Sequence, residues 1–178
     1  ESSRRAAPGT TTADHCACAG PAVRRSGNTG HMTIVAVRYD MRTTTNGAGH
    51  PELYRAALDQ IRWADEVGLD AVVLSEHHVS EEGYLPSPLV MAGATAAVTE
   101  RITITIAALV AALHHPIRLA EDLAVLDHLS NGRLLAVLGI GYRPIEFDVF
   151  AANRSRRTHA LEELVGVLRQ AWAGEPFE

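Results

Sequence analysis

Apolar positions along the chain from Ile34 follow two alternating rhythms. Ile34–Tyr39 reads as a short strand, and a Thr/Asn/Gly stretch leads from it to Pro51. Proline suits the first turn of a helix, where its missing N–H is not needed. Beyond it Tyr54, Ala57, Leu58, Ile61, Ala64 and Val67 recur at helical spacing on one face, and Gly68 offers a left-handed stop. Ala71–Leu74 is an unbroken apolar run, as expected of a strand covered on both faces. The alternation then repeats. A helix is expected from about Ser87 to Thr99 and a strand over Ile102–Ala107. Pro116 opens a helix carrying Ala120, Leu123, Ala124 and Leu126, Asn131-Gly132 turns the chain, and Leu134–Leu138 forms a fourth strand before a last helix over about Arg156–Ala173.

Strands separated by helices form the pattern of parallel βα units joined by right-handed crossovers. Two architectures satisfy it, an open doubly wound sheet and a (β/α) barrel. The segment Asp40–Gly47 after the first strand matches neither GxGxxG nor a P-loop, and Gly139-Ile140-Gly141 is only a fragment of such a motif. In both architectures the residues after each strand gather on one face, where sites are placed. Ser75-Glu76-His77-His78, Ala107-Ala108 and Gly139-Ile140-Gly141-Tyr142 are therefore expected to be neighbours. A histidine there exchanges protons near neutral pH. Small residues beside it would let a flat ring lie against the backbone.

Residues 1–31 depart from this pattern. They are rich in Ala, Thr, Ser, Gly and Arg without apolar periodicity, and their four Arg against Glu1 and Asp14 leave them at +2. Such a stretch buries too little surface to offset its ordering entropy. We read it as a disordered leader or as translated sequence upstream of a start at Met32, with an Arg-rich transit peptide as the minor alternative. The folded unit is then 32–178.

Composition narrows the function classes. Of 178 residues 47% are apolar, 21% are charged and the net charge is -5. All 16 basic residues are Arg. No basic groove is expected, which argues against nucleic acid as a partner. The apolar stretch Ile102–Leu113 falls short of the ~18 residues of a membrane span, and Thr103 and Thr105 interrupt it, so the expectation is a cytoplasmic protein with no membrane partner. Cys16 and Cys18 are too close to staple a fold and lack a second pair for zinc; no metal is expected.

Three segments in order carry a resemblance: Ser75–His78, the stretch from His115 to Arg133, and Gly139–Phe150. Together they resemble the bacterial luciferase-like monooxygenase family from about Met32 to the end of the chain. The resemblance implies a (β/α)8 TIM barrel, of which residues 32–178 would supply the N-terminal half, about four βα units. A typical barrel runs to ~250 residues, so this part of the chain would be truncated on its C-terminal side. It also implies an enzyme: a flavin-dependent monooxygenase or oxidoreductase using reduced FMN or coenzyme F420 on a small organic substrate. His77 resembles the family's catalytic histidine, assisting proton transfer at the flavin. His78 would line the same pocket and Glu76 would support it. Ala107 and Ala108 occupy the place of a bulge and a non-proline cis peptide beneath the ring, and Gly139, Ile140, Gly141 and Tyr142 would pack along it. Ile140 stands where the luciferases proper have an arginine on the flavin phosphate, which shifts weight towards F420; Arg143 is the candidate substitute. The resemblance favours a homodimer through the second and third helices, and a separate flavin or F420 reductase as a further partner. The alternative is a non-catalytic fragment or flavin-binding interaction protein without a complete site.

Other features have plainer readings. His114-His115 before Pro116 reads as part of the loop into a helix. The small-residue run Met91–Ala97 reads as close helix packing, and Arg154, Arg156, Arg157, Glu162 and Glu163 as surface charge.

Overall fold

A computed structural model describes residues 33–43 and 49–174. The expected leader, with Cys16 and Cys18, lies outside the described residues. Four strands, β1 (Ala36–Tyr39), β2 (Ala71–Leu74), β3 (Thr103–Val110) and β4 (Leu134–Gly139), form one sheet in the order β1-β2-β3-β4, with every neighbouring pair parallel. The helices are α1 (His50–Val67), α2 (Pro88–Val98), α3 (Pro116–Ser130), α4 (Pro144–Val149) and α5 (Arg157–Ala173), with short 3-10 turns at Ala111–Leu113 and Arg154–Arg156. Sequential strand order with helical crossovers is a (β/α) barrel half rather than a doubly wound sheet, whose order reverses at a switch point.

Proline opens each of the first four helices within its first two positions. At the other ends Gly68 and Asn131 take the left-handed conformation (φ 85° and 53°), and their N–H groups bond back to the last turns of α1 and α3.

Register divides the sheet into two unlike faces. Val37, Val72, Ile104 and Leu134 share one level, and Tyr39, Leu74, Ile106 and Ala136 share another on the same side. These face the helices and join Ile61, Met91, Leu119, Leu123 and Leu164 in the core. Between them Arg38, Val73, Thr105 and Leu135 point the other way. No helix of the described residues covers that side, and Leu135 and Val137 remain 52% and 43% exposed. It corresponds to the lumen of a closed barrel.

The end of the sheet where the strands begin is held by polar clamps. The buried Asp65 near the end of α1 accepts the backbone N–H groups of Glu100, Arg101 and Ile102. Arg133 donates to the carbonyls of Thr99, Ile102 and Ser130.

Two elements differ from the expected pattern. β3 continues to Val110 instead of ending at Ala107, with a register shift against β4 between Ala107 and Leu109 and a cis peptide at Ala107-Ala108. α4 was not expected at all, because six residues are too few to show a period. The small run in α2 packs inside the chain: Met91, Ala92, Thr95 and Ala96 are buried, and Gly93 meets Leu126 of α3. Among the described residues no helix is long and apolar enough to cross a membrane.

Candidate active site

The segment leaving β2 places four polar residues at the strand end, as parallel topology requires. Ser75 and Glu76 are buried. The Glu76 carboxylate joins three segments: Oε1 accepts from Nε2 of His114 at 2.9 Å and Nε2 of His78 at 3.1 Å, and Oε2 accepts from the N–H of Val110 at 2.5 Å. An ionised carboxylate can only accept, so both imidazole Nε2 atoms carry protons there. Burial by itself would raise the Glu76 pKa, but the hydrogen bonds from His114, His78 and Val110 and the attraction to His114 outweigh it and hold it at about 2. Glu76 is thus a fixed anion and a structural hub.

His77 faces a different carboxylate. Its Nδ1 lies 3.0 Å from Oε1 of Glu146, a fully buried residue of α4. The same oxygen accepts the backbone N–H of His78 at 3.0 Å and Nη1 of Arg143 at 3.2 Å. The imidazole stands edge-on to Tyr84 and Tyr142, with ring centroids 4.6 Å and 5.8 Å away. Its side chain stays 21% exposed. His78 packs edge-on against Phe150 at 4.5 Å.

Arg143 is held within this cluster. Nη1 donates to the carbonyl of His78 at 2.8 Å and Nη2 to that of Val79 at 3.3 Å. Its guanidinium therefore straps the loop after β2 to α4, an arrangement the sequence reading of Arg143 as a phosphate ligand did not foresee.

The remaining sequence candidates fall beside the histidines. Ala107 and Ala108 lie at the β3 irregularity, where a bulge and cis peptide were expected. A Cβ on Gly139 would come within 3.0 Å of the Ala108 Cβ. At Gly141 (φ 72°) a Cβ would come within 2.6 Å of Val110 and 3.0 Å of Phe147, so the chain's own packing demands glycine there and leaves little room at Gly139. Ile140 and Tyr142 point outward, Tyr142 being 67% exposed. His114, Glu146 and Arg143 complete the cluster. Sequence reasoning does not reach the first two: it places His114 in the loop into a helix, and Glu146 carries only the signal of a carboxylate three residues after Arg143 and two after Pro144.

A cleft of about 670 Å³ opens between the starts of α2 and α3, with Glu76, His78, Leu89, His114, Val125 and Phe150 among its walls. His77 does not line it. Each of the three imidazoles meets a buried carboxylate through one ring nitrogen, His77 through Nδ1 and His78 and His114 through Nε2, so His77 alone leaves Nε2 without a hydrogen-bond partner among the described residues. Exposed Ile140 and Tyr142, with the small Ala107-Ala108 segment nearby, suit the face of a planar conjugated ring. The residues present thus fit the ring of a flavin. Among the described residues no group of three side chains is arranged to hold a metal.

The order of strands defines a partial (β/α) barrel with a histidine–carboxylate cluster at the C-terminal ends of its strands. Residues 32–178 match the model of the luciferase-like monooxygenase family, and the chain belongs to it. It is 32% identical over 107 residues to an alkanal monooxygenase beta chain of Photobacterium leiognathi, covering 60% of this chain and 33% of that one. Among solved structures, the oxygenating constituent of 3,6-diketocamphane monooxygenase from Pseudomonas putida, in complex with FMN, superposes with a TM-score of 0.74 at 22% identity, covering 81% of this chain and 40% of that one. An F420-dependent secondary alcohol dehydrogenase in complex with an F420-acetone adduct gives 0.65 at 20% identity, covering 80% and 42%. The two structural likenesses establish the barrel fold. The chain spans about a third of the length of the curated relatives it matches.

Proposed function

We propose that this chain carries the His77 side of a reduced-flavin site, FMN or F420, in an oxidoreductase acting on a small organic substrate. The observation that supports it best is His77 itself, which meets the buried Glu146 through Nδ1 and so leaves Nε2 without a hydrogen-bond partner among the described residues, with Tyr84 and Tyr142 edge-on beside the ring. When bound, the flavin supplies the reducing equivalents, for oxygen insertion with FMN or hydride transfer with F420. The chain's own residues do the rest. Ala107, Ala108, Gly139, Ile140, Gly141 and Tyr142 form the surface along which the ring packs. His77 holds or releases a proton at Nε2 as the catalytic residue, while Glu76 and His78 fix the wall beside it.

The proposed assembly is a homodimer through α2 and α3, whose outward Val90, Val125 and Leu129 are exposed. A separate flavin or F420 reductase would supply the reduced cofactor, and the cytoplasm is the compartment that provides one. Titration of the protein with FMN or F420, followed by flavin absorbance and fluorescence, tests the site. A saturable shift or quench with one of them is expected, and none with either refutes the reading and leaves a non-catalytic interaction protein. His77→Ala is expected to preserve binding while turnover falls by roughly 10² to 10⁴, the usual loss with a general acid or base. Unchanged turnover would remove His77 from the chemistry.

A further inference from the structure

We infer that Glu146 is the positioning residue of this site, locking His77 in the tautomer whose Nδ1 carries the proton and whose bare Nε2 faces the reacting atoms. The inference rests on His77 being the proton-handling group, and it fixes the direction in which His77 first acts. In the resting site a neutral His77 accepts a proton at Nε2 before it can donate one.

The tautomer follows from the donors around one oxygen. Oε1 of Glu146 receives the N–H of His78 and Nη1 of Arg143, neither of which can accept. An oxygen committed to two fixed donors is an acceptor, so the third group on it, Nδ1 of His77, must donate. This holds for a protonated Glu146 as well, since its proton would sit on the other oxygen. That oxygen, Oε2, is buried without a hydrogen-bond partner among the described residues. A carboxylate in the interior normally satisfies both oxygens. Here all donors converge on the one that faces His77, as aiming a histidine requires and general packing does not.

The supporting frame is rigid. Arg143 bonds the carbonyls of His78 and Val79 and so fixes Glu146 to the loop that carries His77. Tyr84 and Tyr142 stand edge-on to the ring, Tyr84 the nearer with centroids 4.6 Å apart. The contrast with the neighbouring hub is informative. His78 and His114 meet Glu76 through Nε2, whereas His77 meets Glu146 through Nδ1, so among these three imidazoles only His77 turns its Nε2 away from a carboxylate.

Nitrogen-15 NMR of the histidine side chains reads the tautomer directly, in the chain as it stands and without cofactor. For neutral His77, assigned by its loss in His77→Ala, the expected result is a pyrrole-type Nδ1 and a pyridine-type Nε2. Glu146→Leu removes the acceptor and is expected to abolish that preference. Glu146→Gln keeps a carbonyl oxygen for the two fixed donors and is expected to restore it. A protonated Nε2 in the wild-type protein overturns the inference, as does a Glu146→Leu variant that folds and keeps the wild-type signature. Should Glu146→Leu fail to fold, the wild-type and Gln spectra still decide. Flavin titration of the same samples separates the two claims: a correct tautomer without flavin binding sinks the functional reading and leaves the Glu146 assignment standing.

Discussion

Neutralising Glu76 is the most informative single perturbation of stability. Its pKa of about 2, against an ordinary 4.5, means that the folded chain holds the ionised form more tightly than the unfolded chain does. At roughly 1.4 kcal/mol per unit, the difference corresponds to about 3 kcal/mol at neutral pH, a large share of the 5 to 15 kcal/mol that stabilises a typical domain. A depressed carboxylate contributes fully above its unfolded value and loses that contribution as pH falls through the folded one. The stabilisation should therefore be intact above about pH 5 and less than half its neutral size by about pH 3. Glu76→Gln mimics the protonated side chain at every pH. Urea unfolding of both proteins at pH 7, 5, 4 and 3 should show a gap of about 3 kcal/mol that closes on the acid side. Asp65 and Asp40, whose pKa values are also lowered, contribute their own acid slopes, but these are common to both proteins and cancel in the gap. A gap of constant size from pH 7 to pH 3 would mean that the variant simply packs badly. No gap at all would remove Glu76 as the hub.

Three further outcomes are expected elsewhere. Gly141→Ala forces a methyl group against Val110 and Phe147 at a positive φ, and a melting measurement should show a loss of about 1–3 kcal/mol; an unchanged melting temperature would contradict the packing. Asp65→Ala strips the acceptor from three backbone N–H groups, so a loss of roughly 2–4 kcal/mol is expected, with faster amide exchange at Glu100, Arg101 and Ile102; wild-type protection there would refute the clamp. The sheet of the described residues has β1 and β4 as open edges and an exposed lumen face, so sedimentation should find self-association. A monomer that melts cooperatively would count against it.

The ends of the helices and the buried strand were legible because each depends on residues close in sequence. Pro51, Pro116, Gly68 and Asn131 act locally, and Ala71–Leu74 reads as a strand from its own composition. The end of β3 was not legible, because Ile106–Leu113 is apolar throughout and only pairing with β4 marks where the strand bends. The expectation that Glu76, His77 and His78 gather near Ala107-Ala108 and Tyr142 followed from topology, since parallel strands deliver their loops to one side. Their hydrogen-bond partners did not follow. Glu76 finds His114 across 38 residues, and His77 finds Glu146 across 69. No spacing rule covers such distances.

The same separations bear on how the molecule assembles. The segments α2, β3, α3 and β4 all lie between His77 and Glu146, so closing that contact costs chain entropy that local pairing does not. On that ground the cluster is expected to form after the strands and helices. Interactions that form late in folding act on the rate of unfolding more than on the rate of folding. The acid–histidine contacts around Glu146 are then expected to act as a latch on the folded scaffold, so that changes of chemistry there raise the unfolding rate more than they slow folding.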